Sequence, residues 1–187
     1  MPLLGRRFEE ALVCATRLHA TQQRKGSATP YLAHLLGVAS LVLEDGGTED
    51  EAIAALLHDA VEDQGGAPTL AAIRERFGDT VARIVDGCTD TDVTPKPPWR
   101  ERKERYIAHL SGAPEDVVRV SLADKVHNAR SISMDLARVG EVVWNRFKAS
   151  REETLWYYHA VIDAVKDRYQ GHLLNELVVT IQRIEGT

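Results

Sequence analysis

Two apolar stretches of the chain each run directly into ionisable side chains. Residues 54–57 lead into His58 and Asp59, and the mostly apolar residues 118–123 lead into Asp124. A carboxylate on a buried helix face is costly unless it is paired or bound to a metal. Two such carboxylates in one small chain therefore indicate a shared partner, and a metal ion fits that role.

His34 supplies the remaining ligand of the predicted site. A single histidine on an apolar face is usually a hydrogen-bonded core residue, but His34 joins His58, Asp59 and Asp124. Two imidazoles and two carboxylates suit Mn²⁺ or Fe²⁺, and Zn²⁺, Co²⁺ or Ni²⁺ could displace them by affinity. We predict one divalent ion, with octahedral positions left for water or phosphate oxygens.

Two further carboxylates lie one helical turn beyond the His-Asp pair. Glu62 follows His58 by four residues, and Asp63 follows Asp59 by four. Each is therefore on the order of 6 Å further along its helix face, too far to bind the ion easily but suited to water or substrate. Both could be surface charges at a helix end, but their fixed offset favours a catalytic role in proton transfer.

The remaining candidates would bind substrate. Asn128 follows Asp124 by four residues, as Asp63 follows Asp59. The two predicted carboxylate ligands neutralise a divalent ion, so a phosphate-rich ligand needs further cations. Arg24 and Lys25, adjacent in a predicted loop before His34, are the candidates for that role.

The elements that carry these residues read as helices throughout, because apolar residues recur at helical spacing. Thr48 and Glu51 form a capping-box pattern, and so do Ser150 and Glu153. The helices of the first half are predicted from Phe8 to Gln22, about Pro30 to Leu43, Thr48 to Val61, Thr69 to Phe77 and Asp79 to Gly87. A long surface loop is predicted over residues 88–98.

The second half continues the all-α pattern. Residues 117–122 are rich in β-branched side chains, but the segment runs without a break through Asn128, which favours a helix over a strand. The helices of this half are predicted at Trp99–Leu110, from Pro114 through Asn128, from Ser150 to about Tyr169, and from about Leu173. No internal repeat or boundary is visible, so we expect one all-α domain over residues 1–187.

Bulk composition limits the classes of function. The net charge of −5 gives no general attraction to nucleic acid or to an anionic membrane. Neither Cys14 nor Cys88 has a second cysteine at metal-ligand spacing, which excludes a zinc finger. Both are expected to be buried and to pack as small hydrophobic side chains. No signal peptide or membrane span is visible, so we expect a cytoplasmic monomer or homodimer that acts on a small molecule.

Other polar residues have simpler interpretations. We expect His19 and His127 to join helices by hydrogen bonds. The mixed charges of residues 100–105 are typical of a solvated helix face. The late aromatic residues are expected to pack between helices, and these are Trp144, Phe147, Trp156, Tyr157 and Tyr158.

Four motifs together resemble the hydrolase domain of RelA/SpoT-type alarmone hydrolases, a branch of the HD superfamily. They occur in the family's order over residues 19–130. The motifs are His19-x-x-Gln22-x-Arg24-Lys25-Gly26, Pro30-Tyr31-x-x-His34, Leu56-Leu57-His58-Asp59-x-x-Glu62-Asp63 and Leu122-Ala123-Asp124-Lys125-x-His127-Asn128-x-Arg130.

The resemblance implies an all-helical HD bundle around a single Mn²⁺ and removal of the 3′-pyrophosphate from guanosine tetra- or pentaphosphate (ppGpp or pppGpp). It places the ligand roles on the four residues named above. It also implies that Glu62 and Asp63 act on the attacking water and the leaving group, that Asn128 helps to hold substrate, and that Arg24 and Lys25 flank the nucleotide. The remaining chain is too short for a synthetase domain, so the chain resembles a small stand-alone member.

Alternatives remain within and outside this enzyme class. An adenosine-type alarmone, NADPH or another nucleotide could be the substrate of a related HD hydrolase. The chain could also be a catalytically silent module that senses a nucleotide. The presence of Glu62, Asp63 and Asn128 favours the enzyme, because a sensor has no need of groups that position water.

Overall fold

The computed structural model describes residues 4–91, 93 and 95–186, and within these ranges it contains no strand, so the all-α fold class is confirmed. A 3₁₀ helix over Gly140–Arg146 precedes the last two α-helices. The α-helices are α1 (Arg6–Leu18), α2 (Leu32–Glu44), α3 (Glu49–Leu57), α4 (Ala60–Asp63), α5 (Ala67–Phe77), α6 (Asp79–Cys88), α7 (Trp99–Gly112), α8 (Glu115–Val139), α9 (Arg151–Val165) and α10 (His172–Glu185).

The long helix α8 organises the bundle. It packs against α2, α3, α6 and α10, while α1 packs on α3, α5 on α6 and α7 on α9. The predicted helix over residues 117–122 is confirmed, and Pro114 precedes its first turn. Because α2, α3 and α8 contact one another, polar groups on their facing sides are brought together in the core.

Helix α3 begins as predicted and ends earlier than predicted. The capping box is present, since Thr48 accepts from the amide of Glu51 and Glu51 accepts from the amide of Thr48. The helix ends at Leu57, and α4 begins only at Ala60. The ring of His58 bonds the Ala55 carbonyl through Nδ1 at 2.8 Å. In a continuous helix the Ala55 carbonyl would accept from the backbone amide of Asp59. The side-chain contact competes with that bond at the break, so the prediction of one helix through Val61 was wrong.

The later helices follow the prediction with small shifts. Ser150 and Glu153 form the predicted capping box. Helix α9 ends at Val165, earlier than the predicted Tyr169. Tyr157 and Tyr158 are buried, in line with the predicted packing role. Among the described residues, no helix has the length and apolar character that crossing a membrane requires.

The prediction for the charged run was wrong in its middle. Arg102 and Lys103 are mostly buried and both contact Oδ2 of Asp90, the lysine at 2.9 Å. Their partner is a loop residue, which helical spacing within the run could not reveal. Cys88 is partly buried, and burial raises the pKa of its thiol to about 11, which fits an unreactive packing residue.

Candidate metal centre

Four predicted ligands converge from three parts of the bundle, and we call them the ligand cluster: His34, His58, Asp59 and Asp124. His34 lies in the first turn of α2, His58 and Asp59 lie between α3 and α4, and Asp124 lies in α8. Both imidazoles are almost fully buried. The cluster therefore lies where the three core helices meet.

Short distances join the donor atoms of the ligand cluster. Asp59 Oδ2 lies 3.0 Å from Nε2 of His58 and 3.5 Å from Nε2 of His34. Donor atoms of these three residues all lie within 4.8 Å of one another. Asp124 is outside that compact group of three, but its Oδ1 lies 3.2 Å from Nε2 of His34 and 3.7 Å from Nε2 of His58.

The two imidazole Nε2 atoms are suited to binding a cation. Both are buried, and neither has a hydrogen-bond partner among the described residues. His58 Nδ1 lies 2.8 Å from the Ala55 carbonyl, which can only accept, so Nδ1 carries the proton and Nε2 presents a lone pair. A lone pair facing two carboxylates is satisfied by a divalent ion, so these residues fit a metal.

His34 has a hydrogen-bonded neighbour on α8 that fits the same tautomer. Its Nδ1 lies 2.9 Å from Nδ1 of His127. Burial lowers the pKa of His127 to about 4, so that ring is neutral and can accept the proton of His34. The close approach depends on Gly37, where a Cβ atom would lie 2.2 Å from the His127 ring. His127 thus joins α8 to α2, as predicted, and also orients a ligand.

The charges of the cluster are strongly coupled. Burial opposes ionisation of Asp59, but the adjacent His58 holds the pKa of that carboxyl well below its usual range. Burial alone would lower the pKa of His58, but Asp59 and Asp124 raise it well above its usual value. Protons and a metal ion therefore compete for the same ring nitrogen.

A chain of hydrogen bonds links the carboxylate of α8 to the loop before α2. Asn128 donates to Asp124 Oδ1 at 2.6 Å, and Arg24 donates to Asn128 Oδ1 at 2.7 Å. Two predicted substrate residues thus meet beside the ligand cluster. Lys25 is exposed and makes no hydrogen bond or ion pair within the described ranges.

The two predicted catalytic carboxylates have partners of their own. Glu62 Oε1 pairs with Lys96 Nζ at 2.7 Å. Asp63 Oδ2 accepts from Gln22 Nε2 at 2.8 Å, and the oxygen of that amide accepts from Gln64. Both carboxylates lie on α4, one turn beyond His58 and Asp59.

Sequence reasoning missed two residues that touch the ligand cluster. Tyr31 donates to Asp59 Oδ2 at 2.6 Å, and its sequence signal was its place in the motif that ends at His34. Lys125 donates to Asp124 Oδ2 at 2.5 Å. A lysine in a largely apolar stretch needs a buried partner, which could have drawn attention to it.

His19 does not reach the ligands directly. Its Nδ1 bonds Gln22 Oε1 at 2.6 Å, and its ring stacks on Tyr31 with centroids 5.3 Å apart. It therefore supports the loop that carries Arg24 against α2, in line with the predicted joining role.

Comparison with known proteins gives consistent matches in sequence. The model of the HD domain family matches residues 11–155. The guanosine-3′,5′-bis(diphosphate) 3′-pyrophosphohydrolase MESH1 of Xenopus tropicalis is 40% identical over 126 residues, which cover 66% of this chain and 68% of that protein. The human protein of the same name is 37% identical over 127 residues, with the same coverage. A probable GTP pyrophosphokinase of Mycobacterium leprae is 38% identical over 126 residues, which are only 16% of its length.

Two solved structures share the fold. One is described as a metazoan ortholog of SpoT that hydrolyses ppGpp, with a TM-score of 0.80, 24% identity and 98% coverage of both chains. The other comes from Listeria monocytogenes EGD-e, with a TM-score of 0.74 and 28% identity, and the match covers 82% of this chain and 99% of that one.

Proposed function

The chain belongs to the HD-domain family, within its SpoT-like branch, and we propose that it is a metal-dependent phosphohydrolase that removes pyrophosphate from the 3′ position of ppGpp or pppGpp. One observation carries the proposal: two buried imidazole Nε2 atoms without partners among the described residues face two carboxylates, beside an arginine linked to the cluster through Asn128. MESH1 relatives named for this reaction support the choice of substrate.

His34, His58, Asp59 and Asp124 would hold one divalent ion, and we propose Mn²⁺, with Fe²⁺, Zn²⁺, Co²⁺ or Ni²⁺ as possible substitutes. When bound, such an ion lowers the pKa of water and stabilises negative charge on phosphate oxygens. The Ala55 carbonyl keeps His58 in the ligand tautomer, and the neutral ring of His127 would accept the Nδ1 proton of His34 when Nε2 binds the ion.

The proton movements would fall to the carboxylates of α4. Water attacks the phosphorus attached to the ribose 3′ oxygen, that P–O bond breaks, and pyrophosphate leaves with the oxygen of the water. Glu62, held by Lys96, takes a proton from the attacking water. Asp63, held by Gln22, gives a proton to the ribose 3′ oxygen, which becomes a hydroxyl, and solvent then carries a proton from Glu62 back to Asp63.

The cations before α2 would bind the phosphates. The protein carries a net charge of −5, so attraction of a polyphosphate has to be local. Arg24 is oriented by Asn128, and its guanidinium lies 5.7 Å from the centre of the Tyr31 ring. Lys25 is exposed and free to follow a bound nucleotide. Arg24, Lys25 and Asn128 are therefore the proposed substrate-binding residues.

A side-by-side assay tests the function. The Mn²⁺-loaded protein is given ppGpp, its adenosine analogue and NADPH, and the products are identified by mass. We expect pyrophosphate and GDP from ppGpp. Phosphate from NADPH as the only product would replace the proposal with a phosphatase, and no turnover of any compound by the metal-loaded protein would favour a sensor.

The variant Glu62→Gln separates catalysis from binding in the same assay. It should retain Mn²⁺ and substrate and lose a factor of about 10²–10⁴ in turnover, as expected for loss of a general base. Near-normal turnover would remove Glu62 from the mechanism and leave Asp63 as the base.

We further propose that the chain acts as a single domain over residues 1–187, as a monomer or homodimer in the cytoplasm. Light scattering coupled to size exclusion tests the oligomeric state, and a species larger than a dimer would contradict it.

A further inference from the structure

Lys125 is a buried cation for which the proposed mechanism has no role. It follows Asp124 on α8, and only 12% of its side chain is exposed. Its Nζ lies 2.5 Å from Asp124 Oδ2 and is flanked by the rings of Tyr106 and Tyr157, with centroids at 5.1 Å and 5.8 Å. Aromatic faces stabilise a cation without neutralising it, so Asp124 is its one ionic partner in the described structure.

Because of this contact, the two carboxylate oxygens of Asp124 have different partners. Oδ2 is occupied by Lys125. Oδ1 accepts from Asn128 and faces the two unpartnered ring nitrogens of His34 and His58. Only Oδ1 is therefore presented to an ion, and rotation of the carboxylate toward binding through both oxygens would break the contact with Lys125.

The contact also sets the charge of the site. Asp59 and Asp124 together balance the charge of a divalent ion, so without Lys125 the ion and its carboxylates would be neutral. With Lys125 the loaded site has one net positive charge. A phosphate group that approaches it is attracted, whereas a metal ion that approaches the empty site meets a repelling ammonium group.

We propose that Lys125 is a positioning residue that fixes Asp124 as a one-oxygen ligand and gives up metal affinity for affinity toward an anionic phosphoryl group. The proposal rests on the proposed function of the ligand cluster. It predicts opposite changes in the affinities for metal and for phosphate when the charge is removed, which a purely structural lysine would not produce.

Lys103 provides a matched control on α7. Its side chain is 18% exposed, its Nζ lies 2.9 Å from Asp90 Oδ2, and it lies 4.8 Å from the centre of the same Tyr157 ring. It therefore resembles Lys125 in burial, in its carboxylate partner and in its aromatic neighbour. It differs in that its partner is not a residue of the ligand cluster.

The experiment compares the wild type with Lys125→Met, Lys125→Arg and Lys103→Met by calorimetry. Each protein is titrated with Mn²⁺ alone, and the loaded protein is then titrated with inorganic phosphate. Lys125→Met should bind Mn²⁺ about tenfold more tightly and phosphate about tenfold more weakly. Lys125→Arg, which keeps the charge, and Lys103→Met should stay within about threefold of wild type for phosphate.

Thermal melts with and without Mn²⁺ guard against misfolding of Lys125→Met. Its metal-free form should be less stable, and Mn²⁺ should stabilise it more than it stabilises wild type, because the ion replaces the missing cation. Equal or smaller stabilisation overturns the proposal. If Lys125→Met does not fold even with Mn²⁺, Lys125→Arg decides, and loss of phosphate affinity in that variant overturns it.

The outcomes separate this inference from the proposed function. Wild-type protein that binds no Mn²⁺ contradicts the metal site and this inference together. Wild-type protein that binds Mn²⁺ and hydrolyses ppGpp, while Lys125→Met weakens metal and phosphate binding alike, contradicts only the role of Lys125. The same holds if Lys103→Met reproduces the changes seen in Lys125→Met.

Discussion

Helices α2, α3 and α8 border two buried polar clusters, and the two differ in how their polar atoms are paired. The first is the ligand cluster of two imidazoles and two carboxylates. The second, the Asp45 cluster, comprises Asp45 at the end of α2, Glu51 in the first turn of α3 and Arg119 in α8. The side chains of Asp45 and Glu51 are 0% and 5% exposed, so the cluster is as deeply buried as the ligands.

The Asp45 cluster satisfies itself. Arg119 binds Asp45 through Nε at 3.0 Å and Glu51 through Nη1. Asp45 also accepts from the hydroxyl of Tyr169, and the second oxygen of Glu51 accepts from Thr48 in the capping box. No buried nitrogen or oxygen of the three cluster side chains lacks a partner among the described residues.

The difference separates a structural network from a binding site. Both clusters bury charge, so burial alone does not identify function. In the Asp45 cluster Arg119 contacts both carboxylates, whereas the ligand cluster leaves two buried ring nitrogens without a hydrogen-bond partner among the described residues. A buried polar group without a partner is costly, and a ligand that supplies the partner recovers that cost.

The largest expected effect comes from removing the cation of the Asp45 cluster. Arg119→Met leaves Asp45 and Glu51 buried without their partner, and the free energy of unfolding should fall by about 3–5 kcal/mol. Urea denaturation should show the same loss with and without Mn²⁺. Arg83→Met, which removes a more exposed pair with Asp116, should cost about 1 kcal/mol or less. Rescue of Arg119→Met by Mn²⁺ would erase the distinction between the clusters.

Removing a carboxylate from the ligand cluster should weaken metal binding strongly and change the stability of the metal-free protein little. Asp59→Asn keeps an oxygen for the hydroxyl of Tyr31 and removes one of the two carboxylates that face the ring nitrogens. Mn²⁺ affinity should fall at least about a hundredfold, since loss of an outer partner alone costs up to that much. The metal-free stability should change by less than about 1 kcal/mol. A large loss of metal-free stability would mean that this cluster, too, is structural.

Substitution of His127, which contacts the ligand His34, tests whether the orientation of that ring affects metal binding. His127→Leu removes the acceptor for His34 Nδ1 and should lower Mn²⁺ affinity by about 10–100-fold. His127→Asn can place an oxygen near the lost nitrogen and should recover part of that affinity. Calorimetric titration measures both. Equal affinities in His127→Leu and wild type would remove His127 from the metal site.

The smallest effect compares the two capping boxes. Thr48→Ala should cost about 1–2 kcal/mol, because Thr48 caps α3 and also holds the Glu51 oxygen that does not bind Arg119. Ser150 caps a helix outside both clusters, so Ser150→Ala should lower the free energy of unfolding by about 1 kcal/mol or less. Thermal melts compare the two. A larger cost for Ser150→Ala would show that the cap adds nothing to the Asp45 cluster.

Local pattern was enough to predict most of the helices. Both capping boxes and the choice of helix over strand at residues 117–122 depend on neighbours within one or two turns, which the sequence displays directly. The break at His58 depends on a contact between its ring and a carbonyl within one turn, and the spacing of apolar residues does not predict such a contact. The pairing of Arg102 with Asp90 depends on the path of a loop.

Part of the site could be predicted from the sequence because of where its polar residues occur. His34, His58, Asp59 and Asp124 attract attention because polar residues interrupt apolar helices, and the structure brings them together. The Asp45 cluster has the same buried charge but went unpredicted, because Asp45 and Glu51 lie at helix ends, where charged residues are common, and do not interrupt an apolar run. Only the three-dimensional arrangement shows which polar groups satisfy one another.

The most direct test of the account is to locate the ion. Crystals of the Mn²⁺-loaded protein measured at the manganese absorption edge should give one anomalous peak per chain. We predict that it lies about 2.2 Å from Nε2 of His34 and His58 and from one oxygen each of Asp59 and Asp124. Absence of a peak at this position, with occupancy elsewhere or nowhere, would contradict the central claim that these unpaired ring nitrogens form a metal site.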